Sequence, residues 1–245
     1  MKKTDKRDTV FAEQQDMIVD FAFDEKVAGV FPDMIRRSVP GYDAVIPLLG
    51  VFAQRFVQAN TAIYDLGCSL GAATLSLRRR ITQAGCRIIA VDNAPAMLEQ
   101  CQQHVRADRA ATPVEVVCQD ILEVNIEAAS LVVLNFTLQF IPPEQRLPLL
   151  EKIHAGLCPG GALVITDKVV FADAAQQQVM DALHTEFKRA NGYSEIEISQ
   201  KRSALEKVLI ADSLADHHQR LAQAGFAQVY TWFQCFNFAG VCAIK

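Results

Sequence analysis

The stretch Ala62-Ile63-Tyr64-Asp65-Leu66-Gly67-Cys68-Ser69-Leu70-Gly71 limits the fold more than any other part of this chain. An apolar run closing on Asp-Leu-Gly reads as a buried strand, and Ala72-Ala73-Thr74-Leu75-Ser76-Leu77 reads as a helix start. The two glycines between them tolerate backbone angles that a side chain forbids, and they let the main chain approach a ligand closely. The helix behind the turn is expected to aim free N–H groups into a crevice. The spacing is Gly-x-Ser-x-Gly, so the third glycine of a dinucleotide fingerprint is missing. The turn is of nucleotide-binding type without being the dinucleotide version. The plainer alternative is a structural turn with no ligand.

Expected strands at 62–66, 86–91, 114–118, 131–134 and 162–166 alternate with expected helices at about 71–83, 94–106 and 144–157. Such alternation gives parallel pairs with right-handed crossovers, hence an α/β doubly wound, mostly parallel sheet. Ligands of such sheets sit at the carboxyl ends of the strands. Upstream, Asp24 caps a helix that Pro32 interrupts, and Tyr42 opens another after the turn Ser38-Val39-Pro40-Gly41. Beyond strand five, residues 173–210 read as long helices broken at Asn191-Gly192-Tyr193, the natural place for a lid. A helix over 214–224 and closing strands at 228–233 and 238–244 complete the pattern. Residues 1–22 are expected to be a flexible tail and 23–245 a single domain.

With 24 basic against 28 acidic side chains, the chain is locally basic only in its first seven residues and in short mixed-charge segments. That argues against direct nucleic-acid binding and for a small-molecule substrate. No apolar run approaches the roughly 18 residues that cross a bilayer, and the N-terminus lacks a secretory core, so no membrane association and a cytoplasmic location are expected. The seven cysteines never fall as Cys-x-x-Cys, the usage of reduced thiols. The five histidines lack metal-ligand spacing and read as structural or surface groups, so no metal is expected.

Asp92 closes strand two, 25 positions after Gly67. A carboxylate at that distance can accept both hydroxyls of a ribose, and Asn93 beside it can touch the ribose or adenine. Capping the following helix is the competing role for Asp92. Asp120 and Ile121 end strand three, where a carboxylate can accept from an exocyclic amine while Ile121 packs on the ring face. Asn135 ends strand four. Tyr42, an aromatic after a Pro-Gly turn, reads by itself as core packing, with a lid over the pocket as the alternative.

These strand ends together resemble the class I S-adenosyl-L-methionine (SAM)-dependent, Rossmann-like fold from 62 to 166, in which the acid before the first glycine, here Asp65, addresses the amino-acid end of SAM. Longer blocks narrow the resemblance. They include Phe31-Pro32-Asp33-Met34-Ile35, Ser38-Val39-Pro40-Gly41-Tyr42, Val132-Val133-Leu134-Asn135-Phe136-Thr137-Leu138-Gln139-Phe140, Phe187-Lys188-Arg189-Ala190-Asn191-Gly192-Tyr193-Ser194-Glu195 and Ile198-Ser199-Gln200-Lys201-Arg202-Ser203. From about Phe23 to the C-terminus the chain is similar to the carboxy-S-adenosyl-L-methionine (carboxy-SAM) synthase family, which serves formation of 5-oxyacetyl uridine at the tRNA wobble position. The resemblance implies conversion of SAM and prephenate to carboxy-SAM and phenylpyruvate. It implies cofactor contacts at Tyr42, Gly67, Cys68, Ser69, Asp92, Asn93, Asp120, Ile121 and Asn135. Arg202 would be the carboxylate-binding and catalytic arginine, with Tyr193 and Lys201 flanking the pocket. A homodimer, and a tRNA uridine carboxymethyltransferase that uses the product, are likewise implied. Read without the resemblance, Arg202 is a solvated helix charge. The rival functions are an ordinary SAM-dependent methyltransferase acting on a small molecule or tRNA, and a non-catalytic SAM-binding protein.

Overall fold

The computed structural model describes residues 6–13 and 21–245. Five strands run parallel in it: β1 (Ala62–Leu66), β2 (Arg87–Asp92), β3 (Val114–Cys118), β4 (Ala129–Asn135) and β5 (Leu157–Val170). The sheet order is β3-β2-β1-β4-β5-β8-β7, where β7 is Gln228–Cys235 and β8 is Phe238–Ile244. β8 lies antiparallel to both β5 and β7, and the short β6 (Asp212–Ser213) pairs off the path with the end of β5. The order reverses between β1 and β4, so the crevice opens beyond the end of β1.

Alternate residues of the central strands serve two cores, as the two-residue period of a strand requires. Tyr64, Leu66, Val132, Leu134, Leu163 and Ile165 face one side and meet α5 (Pro143–Gly156) and α8 (Leu214–Gln223) through Leu149, Leu150, Ile153 and Leu221. Ile63, Leu131, Val133 and Val164 face the other side. There they meet α2 (Tyr42–Phe56) and α3 (Ala72–Arg78) through Val45, Leu49, Ala53 and Leu77. α4 (Pro95–Ala107) packs against β2 and β3.

Three elements differ from the sequence expectation. α1 (Glu25–Ser38) starts where expected, with the Asp24 carboxylate accepting from the Val27 N–H at 2.9 Å, but it continues through Pro32 rather than breaking there. α3 ends at Arg78, short of the expected 83. β5 extends at both ends beyond 162–166 and takes in Pro159-Gly160-Gly161, residues that by themselves favour a turn. Its antiparallel neighbour explains the extension. Gly160 N–H donates to the Lys245 carbonyl and Lys245 N–H to Gly161, while the ladder reaches Lys168 opposite Phe238.

The segment after β5 is helical, as α6 (Ala174–Ala190) and α7 (Glu195–Leu205), the latter opened by a capping box between Ser194 and Glu197. Of the residues assigned to a tail, 6–13 lie against α1 and α7. Asp8 is 2% exposed and Phe11 8%. Gln200 Nε2 donates to the Phe11 carbonyl at 3.0 Å.

Candidate functional site

A cleft of about 1290 Å³ lies at the carboxyl ends of β1 to β5, roofed by α1, α2, α6 and α7. That is more than the roughly 300–1,000 Å³ of a single-ligand pocket, and it leaves room for a second molecule beside a nucleoside. Its floor is the turn between β1 and α3. Gly67 and Gly71 have φ of +81° and +84°, and Ser69, with φ of +51°, adopts the same left-handed region without being glycine. A Cβ on Gly67 would fall 2.3 Å from Thr137 Oγ1. Close approach, as well as φ, therefore demands glycine there.

Three N–H groups of the turn itself, ahead of the helix N–H groups that the sequence points to, are bonded within the protein. Gly67 and Cys68 donate to the Val91 carbonyl, and Ser69 N–H donates to Asp92 Oδ2 at 2.8 Å. A phosphate cradle needs such donors uncommitted. This turn contributes shape, which suits a ligand without phosphates.

Asp65 lies beneath the turn, fully buried and away from the cleft lining. Its Oδ2 accepts from Thr74 Oγ1 at 2.5 Å, and its Oδ1 is buried without a partner. Burial pushes its pKa up to about 6. The acid placed by resemblance at the amino-acid end of SAM braces the start of α3 in this structure.

Asp92 Oδ1 accepts from Ala94 N–H at 2.9 Å, so the carboxylate ties the glycine turn to the entry of α4, whose N-cap is Ala94. Each carboxylate oxygen keeps a second lone pair, so ribose hydroxyls can still donate to it. Burial raises its pKa. Asn93 lines the cleft beside it. Asp120 Oδ1 accepts from Leu122 N–H at 2.9 Å, and the buried Ile121 gives an apolar wall. Asn135 Oδ1 accepts from Thr166 Oγ1 at 2.6 Å, which leaves its amide N–H₂ as the group for a ligand. The next residue, Phe136, has φ of +59°, an angle that costs a bulky residue energy and is held by neighbours. Its ring sits 6.1 Å from those of both Tyr42 and Phe238. Tyr42 is therefore both core, at 9% exposure, and cleft wall.

The ten residues proposed from the sequence all line this one cleft, with Arg202 coming from α7. Arg202 is exposed at the rim, and its Nη2 donates to Thr185 Oγ1 at 3.4 Å. Tyr193 does not line the cleft, whereas Lys201 does. Lys201 Nζ donates to Ser38 Oγ at 2.8 Å, lies 3.7 Å from Asp8, and has its pKa drawn down to about 8 by burial.

Sequence reasoning missed Lys168, His184 and Lys188, which line the same lobe as Arg202. His184, read as structural, donates from Nε2 to the Ser38 carbonyl at 2.8 Å. Burial, and then the Lys188 charge, press its pKa down to about 3, so it is neutral at physiological pH. Burial and then the charges of Lys168, Lys201 and Arg202 bring Lys188 down to about 7. The only sequence signal was the spacing of 181, 184 and 188 along one helix face.

No described helix is long and apolar enough to cross a membrane, and no cluster of three or more metal-ligating side chains occurs among the described residues. The seven cysteines are free.

A methyltransferase-domain family model matches residues 63–161. Carboxy-S-adenosyl-L-methionine synthase of Vibrio campbellii is 60% identical over 238 residues, covering 97% of each chain. The enzyme of the same name from Shewanella oneidensis is 59% identical, covering 98% of each. Among solved structures, an O-methyltransferase family protein of Burkholderia thailandensis superposes with a TM-score of 0.64 at 20% identity, covering 91% of this chain and 60% of that one. Human N-acetylserotonin methyltransferase, solved with SAM, gives 0.60 at 16%, covering 90% and 55%. At such identities the likeness establishes the fold alone, that of class I SAM-dependent methyltransferases.

Proposed function

This chain belongs to the carboxy-S-adenosyl-L-methionine synthase family, enzymes on a methyltransferase fold, and from that premise we propose that it carboxylates the methyl group of SAM with carbon dioxide released from prephenate. The balance is SAM plus prephenate giving carboxy-SAM, phenylpyruvate and water. As prephenate aromatises, its ring carboxylate leaves as carbon dioxide and its ring hydroxyl leaves as hydroxide. The hydroxide takes a proton from the sulfonium methyl, and the resulting carbanion, stabilised by the adjacent cationic sulfur, adds to carbon dioxide. No protein group need serve as base, in keeping with a cleft whose motif residues position rather than react.

The observation that carries this reading is the Arg202 guanidinium on the cleft wall. An ordinary methyl donor gives no reason for a fixed cation there, whereas a carboxylated methyl is held by it through charge-assisted hydrogen bonds. The rest of the cleft fits SAM. Asp92 and Asn93 take the ribose, Asp120 and Ile121 the adenine, and Asn135 with the Gly67-Cys68-Ser69 turn the amino-acid half, under the Tyr42 ring. Part of the same proposal is a homodimer whose product passes to a tRNA uridine carboxymethyltransferase.

The test is incubation of the purified chain with SAM and prephenate, followed by mass spectrometry for carboxy-SAM and phenylpyruvate. Arg202→Ala is expected to weaken carboxy-SAM binding about ten- to a hundred-fold, the worth of a hydrogen bond between charged groups, and SAM binding far less. Because Arg202 is exposed, with Thr185 as its hydrogen-bond partner, the variant should fold normally. Equal losses for both ligands, or methyl transfer in place of carboxylation, would overturn the reading.

A further inference from the structure

The lobe of the cleft beyond Arg202 carries more positive charge than the protein itself neutralises. Lys168 comes from the end of β5, where Gln139 Oε1 accepts its N–H at 2.9 Å and so fixes the backbone from which the side chain springs. Asp181, His184 and Lys188 come from one face of α6, and Lys201 and Arg202 from α7. Lys201 is already committed to Asp8 and Ser38. Asp181, the carboxylate that faces the two remaining lysines, accepts from neutral amides, Oδ1 from Asn237 Nδ2 at 3.1 Å and Oδ2 from Gln177 Nε2 at 2.8 Å, and sets a single negative charge against two ammonium groups. Among the described residues, neither Lys168 nor Lys188 has a carboxylate within ion-pair distance, although both are partly buried. His184 brings no positive charge, since it is neutral at working pH. Partly desolvated ammonium groups without counterions are unfavourable unless a ligand supplies the anion.

We propose that Lys168 and Lys188 form a second carboxylate subsite, separate from Arg202, which grips the carboxylate that a dianionic cosubstrate retains through the reaction. This rests on the reading above, in which the cosubstrate is a dicarboxylate that loses one carboxyl group and keeps the other. Chemistry divides the two subsites. Cations that hold the departing carboxylate tightly stabilise its charge and oppose its loss as carbon dioxide. Cations on the retained carboxylate act equally before and during the reaction, and so anchor and orient the molecule without that penalty. A pair of lysines suits such an anchor, because each ammonium is a compact charge on a flexible stem.

The anchor also carries a pH signature. In the free protein Lys188 is held near neutrality by burial and by Lys168, Lys201 and Arg202, with Asp181 opposing. Lys168 is lowered mainly by burial and raised by Asp181. Only the ammonium form of Lys188 binds the anion, so binding should take up protons and weaken as pH rises above about 7.

Steady-state kinetics with SAM and prephenate, alongside calorimetric binding of SAM alone, decide the matter for the wild-type chain, Lys168→Gln, Lys188→Gln and Lys188→Arg. Each glutamine variant is expected to raise the KM for prephenate about ten- to a hundred-fold and to leave the dissociation constant of SAM within about twofold. Lys188→Arg should recover most of the loss and abolish the rise in KM above pH 7 that is expected of the wild type. The glutamine variants should melt no lower than the wild type, because they remove unneutralised charge. A folded Lys188→Gln with an unchanged KM for prephenate overturns the subsite, and an equal loss for SAM assigns the lysines to SAM's own carboxylate instead. A wild-type chain that makes no carboxy-SAM from prephenate overturns the function reading, and the subsite with it. Carboxy-SAM formation with an unaltered KM in both glutamine variants overturns the subsite alone.

Discussion

Asp65 shows what one residue's surroundings do to its chemistry. It is wholly buried, bonded through one oxygen to Thr74, and holds its proton up to about pH 6. An unfolded aspartate ionises near pH 4, so the folded state binds more protons than the unfolded one between these values. The stability contributed by the neutral form is complete below about pH 4 and is lost as pH climbs through 6. Asp65→Asn keeps the shape without the ionisation. Relative to wild type it should gain about 2–3 kcal/mol between pH 4 and pH 7, from a displacement of about two pH units at 1.36 kcal/mol each. Urea unfolding of both proteins at the two pH values measures it, and parallel stability curves would place the titration elsewhere. The motif position of Asp65 was plain in the sequence, but its burial was not. A strand end can point its last carboxylate toward ligand or beneath the turn, and Thr74 decides which.

At the scale of an element, the turn from β1 to α3 works as a shaped gap. Gly67→Ala combines a left-handed φ with a Cβ placed 2.3 Å from Thr137 Oγ1 and 2.5 Å from its Cγ2. The expected result is a loss of about 1–3 kcal/mol of stability and a weakened affinity for SAM. Thr137→Ala removes both of those nearest atoms, so the double variant should recover part of the loss while the φ penalty persists. Strict additivity of the two substitutions would show that φ alone is at work. The expected helices and strands of the central unit match the structure to within a few residues wherever the apolar period was clear. β5 escaped because its extra length depends on β8, some seventy residues later in the chain, for hydrogen-bond partners. α1 ran past Pro32 because a proline forfeits one helical bond without forbidding the helix when tertiary packing supports both sides.

Across the whole molecule, residues 6–13 join the first and last parts of the roof. The Asp8 N–H donates to Asp33 on α1, and its carbonyl accepts from Arg37 Nη1. Its carboxylate accepts from the Tyr193 hydroxyl and faces Lys201 of α7. Tyr193 therefore acts on this strut rather than on the cleft, and the Arg37 guanidinium stacks 3.9 Å over its ring. Asp8→Asn preserves the hydrogen-bond shape but removes the carboxylate nearest the buried Lys201 charge and leaves only the weaker pull of Asp33. Removing one partner of a buried pair costs about 3–5 kcal/mol. The variant should lose stability of that order and show faster hydrogen exchange in α7 than in β1 or β4. Unchanged protection of α7 would mean that the N-terminal segment does not hold the roof.

The sequence by itself determined the parallel sheet, the crevice at its strand ends and the residues that stand there. Periodicity and turn chemistry are local, and parallel topology brings successive strand ends to one edge whatever else the chain does. Only the tertiary structure decided where charge accumulates. Lys168, Lys188 and Arg202 lie on three elements with no shared spacing, and the partial burial of the two lysines and their lack of ion pairs arise from neighbours far away in the chain. Desolvation and Coulomb energy depend on distance through space, which the order of residues does not record.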